Sequence, residues 1–397
     1  MDSIFNNTSN FAPGGSPLTD RVFFIVLDSF GCGELPDADV FGDIGSNTLR
    51  SVASSRFFHA DNLTRLGLFN IEGNGEFGTP RSAPIASYGR AAEASAGKDT
   101  IIGHWELCGV ISPHSLPLYP RGFPAEVLDA LESATGVGCV CNKPYSGTDV
   151  IRDYGAEHIK TGKVIIYTSA DSVLQVAAHE GHFGLDRLYD YCKTARRVMS
   201  GKHAVGRIIA RPFTGETPER FIRTANRHDY ALEPPGDTLF DVIKHAGLDT
   251  LSVGKIGDIF AGRSIDGSHP TKSNAEGMAV TDALAARSDW RGLCMVNLVD
   301  FDMLWGHRND IDGYAQGIAA FDVWLGGFIE RMSERDALIV TADHGCDPGT
   351  PSTDHSREYV PVLCYGKTLE PRAFGTFPNF TYVGGLTRKL LGIGGAL

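Results

Sequence analysis

The sequence predicts an α/β fold: a central, mostly parallel sheet flanked by helices, with a second α+β domain inserted into it. Three observations carry this. Short apolar runs rich in β-branched residues alternate with helix-like stretches. Several runs end in a carboxylate or an imidazole, at the strand edge where open α/β sheets hold their ligands. From about Ser115 to Pro235 the texture changes, with many arginines and lysines and separate strand-like runs. A chain of 397 residues exceeds one ordinary core, so two domains are expected. The expected division is a polar, flexible leader at 1–20, a core from 21–114 and 236–397, and an inserted domain at 115–235.

Composition excludes several classes. The chain is 42% hydrophobic and 21% charged, as in globular proteins. Its formal net charge of -12, with no long basic tract, argues against a nucleic-acid partner. An acidic chain that handles phosphates needs local compensation by metal or clustered arginine. No apolar run approaches the roughly 20 residues of a membrane span, so no membrane partner is expected. The first 20 residues lack the basic and apolar regions of a signal peptide. Eight cysteines without a CxxC pair suggest reduced thiols and a cytoplasmic location. Cys139 and Cys141 flank one residue, a weak signal.

In chain order, Arg21–Leu27 is an apolar strand with Asp28 at its carboxyl end. Alone, Asp28 also fits a turn or helix cap. Asn47 or Thr48 suits a helix start. Asp99-Thr100 is expected to open a helix whose free backbone N–H groups face an anion. A Thr100 hydroxyl beside a metal would be a nucleophile. A plain N-cap threonine is the competing reading. Lys98, His104, Trp105 and Glu106 lie close by.

In the inserted segment, Lys163–Thr168 and Ala204–Ala210 read as strands and Asp186–Met199 as an amphipathic helix. Two motifs there are decoys. His179 and His182 are three apart rather than four, and Gly136-Val137-Gly138 lacks the third glycine of a dinucleotide fingerprint. Asp171 follows a strand and is a ligand-facing candidate. Arg207 and Arg211 bracket a strand-like run, where a guanidinium suits phosphate. An edge strand with surface arginines explains them equally well.

After Pro235 the first grammar resumes. Thr238–Ala246 and Gly277–Ala286 read as helices, and Asp249–Val253 as a strand leading to Lys255. Leu293–Val299 is a buried strand leading to Asp302 and His307. Gly313–Glu330 is a helix. Asp336–Thr341 is a buried strand ending in Ala342-Asp343-His344-Gly345, and the loop after it carries His355. Val360–Gly366 and Tyr382–Leu391 close the chain as strand and helix. Asp28, Asp302, His307, Asp343, His344 and His355 thus all follow strands of one domain. Six oxygen and nitrogen ligands suit two divalent metals that clamp a phosphoryl transfer. Carboxylate and imidazole without thiolate favour manganese or zinc, and three histidines disfavour magnesium.

Val26-Leu27-Asp28-Ser29-Phe30-Gly31, Gly97-Lys98-Asp99-Thr100 with Gly103-His104-Trp105-Glu106, Asn297 to His307, Thr341-Ala342-Asp343-His344-Gly345 and His355 together resemble the phosphopentomutases of the alkaline phosphatase superfamily. The resemblance runs from about Arg21 to the C-terminus. It implies an alkaline-phosphatase-like core and a cap formed by the inserted domain. It also implies that Thr100 is the nucleophile and carries phosphate. Asp28, Asp343 and His344 would hold one Mn2+ together with Thr100, and Asp302, His307 and His355 a second. Asp171, Arg207 and Lys255 match substrate-side positions. The implied reaction interconverts the 1- and 5-phosphates of ribose or 2-deoxyribose through a bisphosphate, with a sugar bisphosphate as activator. One departure is visible: Ile101-Ile102 follows Thr100 where the family carries a further hydroxyl residue, which leaves Thr100 as the single hydroxyl there.

Three other readings share these residues. A phosphatase or sulfatase would differ in water exclusion rather than in ligands. A cofactor-independent phosphoglycerate mutase would carry serine at the Thr100 position. A non-catalytic metal-binding relative would have lost ligands or Thr100.

Overall fold

Arg21–Leu27 is apolar at six successive positions because it lies between two parallel neighbours, with both faces covered. Val22 to Leu27 are fully buried. The computed structural model describes residues 17–169 and 171–394. Most of the expected leader, 1–16, lies outside the described residues.

The strands β1 (Arg21–Leu27) and β2 (Ser87–Ala91) precede the inserted segment. Within it are β3 (Cys139–Pro144), β4 (Val164–Thr168), β5 (Val173–His179), β6 (Arg207–Thr214), β7 (Ile222–Arg223) and β8 (His228–Ala231). After it come β9 (Asp249–Val253), β10 (Gly267–His269), β11 (Gly292–Leu298), β12 (Asp336–Thr341), β13 (Val360–Tyr365) and β14 (Ala373–Phe377). The chain divides into two units, one from the segments up to Ser115 and from Pro234 onward, the other Leu116–Glu233.

The larger unit holds an eight-stranded sheet in the order β10-β9-β11-β1-β12-β13-β2-β14. β1 pairs in parallel with β11 and β12, Leu27 opposite Leu298 and Val26 opposite Thr341. These three strands therefore end together, and the residues after them emerge at one edge. β13 runs antiparallel to β12 and to β2. Its first residue lies at that same edge, so the loop before β13 and the segment after β2 also arrive there. The sheet is thus mostly parallel, with β13 as its antiparallel interruption.

The inserted unit is a six-stranded mixed sheet, β3-β4-β5-β6-β7, with β8 also paired to β6. Its strands alternate between two cores, as the two-residue period of a strand requires. Val164 and Ile166 pack with Leu188, Tyr191 and Ala195 of the helix Leu185–Val198. Ile165 and Tyr167 pack with Val150 and Ile151 of the helix Asp149–Thr161. The run expected as a strand from Ala204 begins only at Arg207 and continues to Thr214. A 3-10 turn at Gly201–His203 delays its start.

Candidate metal centre

Five segments deliver the functional side chains to the edge defined by β1, β11 and β12. Asp28 directly follows β1. Ser29 comes next with φ of 73°, a left-handed conformation uncommon outside glycine. That turn aims the Ser29 N–H at Asp343 Oδ1, 3.2 Å away. Asp302 sits in a short π-helical turn, Phe301–Trp305, and His307 in the 3-10 turn after it. Asp343 and His344 follow β12. His355 returns because Gly345 and Ser356 form an isolated antiparallel bridge that pinches the loop between them. The imidazoles of His344 and His355 then lie 4.0 Å apart, centre to centre.

Thr100 opens the helix Thr100–Leu107. It is not the N-cap, since the Asp99 side chain accepts from the N–H groups of Ile101 and Ile102. Those two amides are therefore taken and do not face an anion, as the free helix N–H groups were expected to do. The helix packs close to β12 at Gly103, where any Cβ would collide with the Asp343 carbonyl oxygen. Thr100 Oγ1 reaches His344 Nε2 at 3.1 Å.

His344 Nε2 also lies 3.4 Å from Asp28 Oδ1 and 3.2 Å from Asp343 Oδ2. Asp302 places Oδ2 3.2 Å from His307 Nε2 and Oδ1 3.4 Å from His355 Nε2. Two sets of ligand atoms lie within 4.8 Å of one another: Asp302, His307 and His355, and Asp28, Asp302 and His344. Asp302 belongs to both. All six residues expected as ligands are thus gathered in one place, with Thr100 beside them. Asp171 and Arg207 are neighbours within the inserted unit, 3.7 Å apart, with Asp171 exposed and Arg207 partly so. Lys255 follows β9, in the larger unit.

The outer contacts orient these groups. His344 Nδ1–H donates to the Gly345 carbonyl at 3.0 Å and His307 Nδ1–H to Thr353 at 2.7 Å. Both leave Nε2 free for a ligand, the usual way a backbone carbonyl fixes a tautomer. The Nδ1–H of His104 lies 2.8 Å from the Thr100 carbonyl and 3.0 Å from Asp343 Oδ2. Asn297 donates to Asp28 Oδ2 at 2.7 Å. Glu106 accepts the backbone N–H groups of Ala94, Ser95 and Phe380, so it shapes the segment leading to Thr100. Asn297 and Ser29 carry weak sequence signals. Asn297 is the one amide in an otherwise apolar strand, and nothing about a serine announces a positive φ.

Among the buried atoms without a hydrogen-bond partner in the described residues are Asp28 Oδ1, Asp302 Oδ1, Asp343 Oδ2 and His355 Nε2. All four are of the kind that divalent cations take, and leaving them unmatched is costly. The donor set fits two such cations. Protons supply the compensating charge otherwise. Burial opposes a charged His344, yet the carboxylates of Asp343 and Asp28 hold its pKa well above the ordinary value. Burial likewise opposes an ionised Asp343, but His344 and His104 pull it down. Burial and the neighbouring Asp343 push Asp28 up. The hydrogen bond to Asp302, then Cys346, raises His307 to about 11.

A buried cluster of carboxylates and imidazoles at the ends of three adjacent parallel strands is the centre of a metalloenzyme. The model of the metalloenzyme superfamily matches residues 20–393. Relatives at high identity include phosphopentomutases. The protein from Lachnoclostridium phytofermentans is 54% identical over 365 residues, covering 92% of this chain and 93% of that one. Those from Carboxydothermus hydrogenoformans and Clostridium novyi are 50% and 48% identical, covering 94% and 92% of this chain and 96% and 94% of theirs. The chain belongs to the phosphopentomutase family, and it is an isomerase of the mutase class.

All eight cysteines are free thiols. Among the described residues no helix is long and apolar enough to cross a membrane.

Proposed function

We propose that this chain interconverts ribose or 2-deoxyribose 1-phosphate and 5-phosphate by carrying the phosphoryl group on Thr100. The observation behind this reading is the Thr100 hydroxyl set against His344, inside a cluster of three carboxylates and three imidazoles. Asp28, Asp343 and His344, with Thr100, would hold one divalent cation, and Asp302, His307 and His355 the other, with Asp302 close enough to Asp28 and His344 to serve both and Mn2+ as the expected metal. When bound, the two cations supply Lewis-acid charge to phosphoryl oxygens and to the threonine oxygen.

In the active form Thr100 carries phosphate. The free sugar hydroxyl attacks that phosphorus, the bond from phosphorus to Thr100 Oγ1 breaks, and the hydroxyl proton passes to the threonine oxygen. The product is a sugar bisphosphate. Thr100 then takes the other phosphoryl group, returning its proton to the sugar oxygen, and the isomer leaves. A sugar bisphosphate is the activator because it loads an unphosphorylated Thr100.

Asp343 holds negative charge beside His344, and His344 orients the hydroxyl. Asp171, Arg207 and Lys255 are proposed to bind the sugar phosphate. The inserted unit is proposed as a cap that covers the sugar. Covering matters because water would hydrolyse phosphothreonine and an escaping bisphosphate would halt the cycle. The substrates are small pentose phosphates, and the site of action is proposed to be the cytoplasm.

The test is intact-mass analysis of the manganese-loaded protein after mixing with ribose 1,5-bisphosphate. The expected result is one added phosphoryl group that maps to Thr100 and is absent in Thr100→Ala. A phosphoryl group on another residue, or none in a protein that turns over, would overturn the assignment.

A further inference from the structure

Arg357 lies two residues after His355 and is almost fully buried, at 2% exposure. All five of its N–H donors are matched. Nη1 donates to Glu93 Oε2 and to the Gly97 carbonyl, each at 2.8 Å. Nη2 donates to the Glu93 carbonyl at 3.0 Å and to Asp37 Oδ2 at 3.1 Å. Nε donates to the Asp37 carboxylate. Its backbone N–H donates to Asp43 Oδ2 at 2.9 Å, and Asp43 also takes the Lys98 ammonium at 2.9 Å.

These partners fall on two stretches of chain: Asp37 and Asp43 flank the short helix Ala38–Phe41, and the others precede Thr100. Glu93, Gly97 and Lys98 belong to the segment that ends in Thr100, while Arg357 belongs to the loop that carries His355. A single planar guanidinium thus ties the nucleophile's segment to the ligand loop, in a place where solvent is excluded. A lysine has three donors around one point and cannot match five fixed directions.

We propose that Arg357 is a positioning residue, which sets the separation between Thr100 and the His355 side of the site. The proposal rests on the reading of Thr100 as phosphoryl carrier. Phosphate must pass from Thr100 to the sugar and back in both halves of the cycle. An error of about 1 Å in such a transfer costs about 100-fold in rate. Positioning of this kind lowers kcat and leaves ground-state binding nearly unchanged.

The experiment compares wild type, Arg357→Lys and Asp37→Asn as full-length, manganese-loaded proteins. Asp37 is half exposed, so Asp37→Asn loosens the clamp without hollowing the interior. Five quantities are read: kcat, KM, bound manganese, melting temperature, and the rate of phosphoryl uptake on Thr100 from ribose 1,5-bisphosphate. For Arg357→Lys the expected result is an approximately 100-fold loss in kcat and in uptake, with KM within about threefold and manganese retained. Asp37→Asn is expected to shift both rates the same way by a smaller factor. In the same manganese-loaded variants, amides of Gly97 to Ile102 should exchange with deuterium faster than in wild type.

Wild-type uptake and kcat in both variants would overturn the proposal. So would losses that only follow lost manganese or a lowered melting temperature. If Arg357→Lys does not fold, Asp37→Asn decides: unchanged uptake overturns the proposal and slowed uptake with intact metal sustains it. If wild type itself takes up no phosphate on Thr100 while turning over, the reading of the reaction fails instead.

Discussion

Thr100 and His344 stand 244 positions apart in sequence, yet Thr100 Oγ1 and His344 Nε2 meet at 3.1 Å. The helix that starts at Thr100 is seated by Gly103 against the backbone of Asp343, and His344 follows β12 at the next residue. Hydroxyl and imidazole are thus placed by two packed elements rather than by one mobile loop. Rigid placement of this kind is what a repeated phosphoryl transfer needs.

Thr100→Ala removes the oxygen and leaves the helix start in place, since Asp99 is the cap. Turnover should fall below detection, while the circular dichroism spectrum and manganese content stay near wild type. Retained mutase activity would remove Thr100 from the mechanism.

Gly103→Ala should be far more damaging than its size suggests. The added methyl meets a backbone carbonyl, which cannot move aside as a side chain would. Overpacking costs about 1–3 kcal/mol, read as a lower urea midpoint. The displaced helix should lower kcat more than KM. A variant with wild-type stability and kcat would refute the close seating.

Asp302 belongs to both ligand sets, whereas His307 belongs to one. Asp302→Ala should therefore cost more bound metal than His307→Ala when both are measured by plasma mass spectrometry at equal free manganese. A chelator should abolish turnover in wild type, and added manganese should restore it. Equal metal loss in the two variants would contradict the shared role of Asp302.

The metal-free protein should lose stability as pH rises. His307 is held above its ordinary value of 6.5, up to about 11, by the hydrogen bond to Asp302. Its contribution is complete below about pH 6.5 and disappears as pH climbs through about 11. Urea midpoints of the metal-free chain should decline across that window, and His307→Ala should flatten the decline. The same proton must leave when metal binds, so calorimetry near neutral pH should show proton release. A slope that is identical in the variant would rule out this linkage.

The buried strands were the legible part of the fold. Arg21–Leu27 and Leu293–Val299 read directly as strands because β1 and β11 have parallel neighbours on both sides, which demand near-continuous apolar runs. β2, with sequence Ser87-Tyr88-Gly89-Arg90-Ala91, carries no such run. It is a strand because β13 and β14 pair with it, and pairing partners distant in sequence leave no local pattern. The metal-ligand candidates were legible because each follows a strand and carries a metal-binding atom. The partners of Arg357 were not. Glu93 lies 264 positions away, and a buried arginine looks like any other in sequence. Asp99 was legible as the start of a helix but not as its cap, since Thr100 competes for that role on type alone.

The central claim is that phosphate moves within the sugar rather than to water. Phosphorus NMR of ribose 1-phosphate with the manganese-loaded protein and a trace of ribose 1,5-bisphosphate tests it most directly. The account predicts growth of the ribose 5-phosphate signal with no inorganic phosphate. Inorganic phosphate as the sole product would contradict it, since the same ligands would then serve a hydrolase.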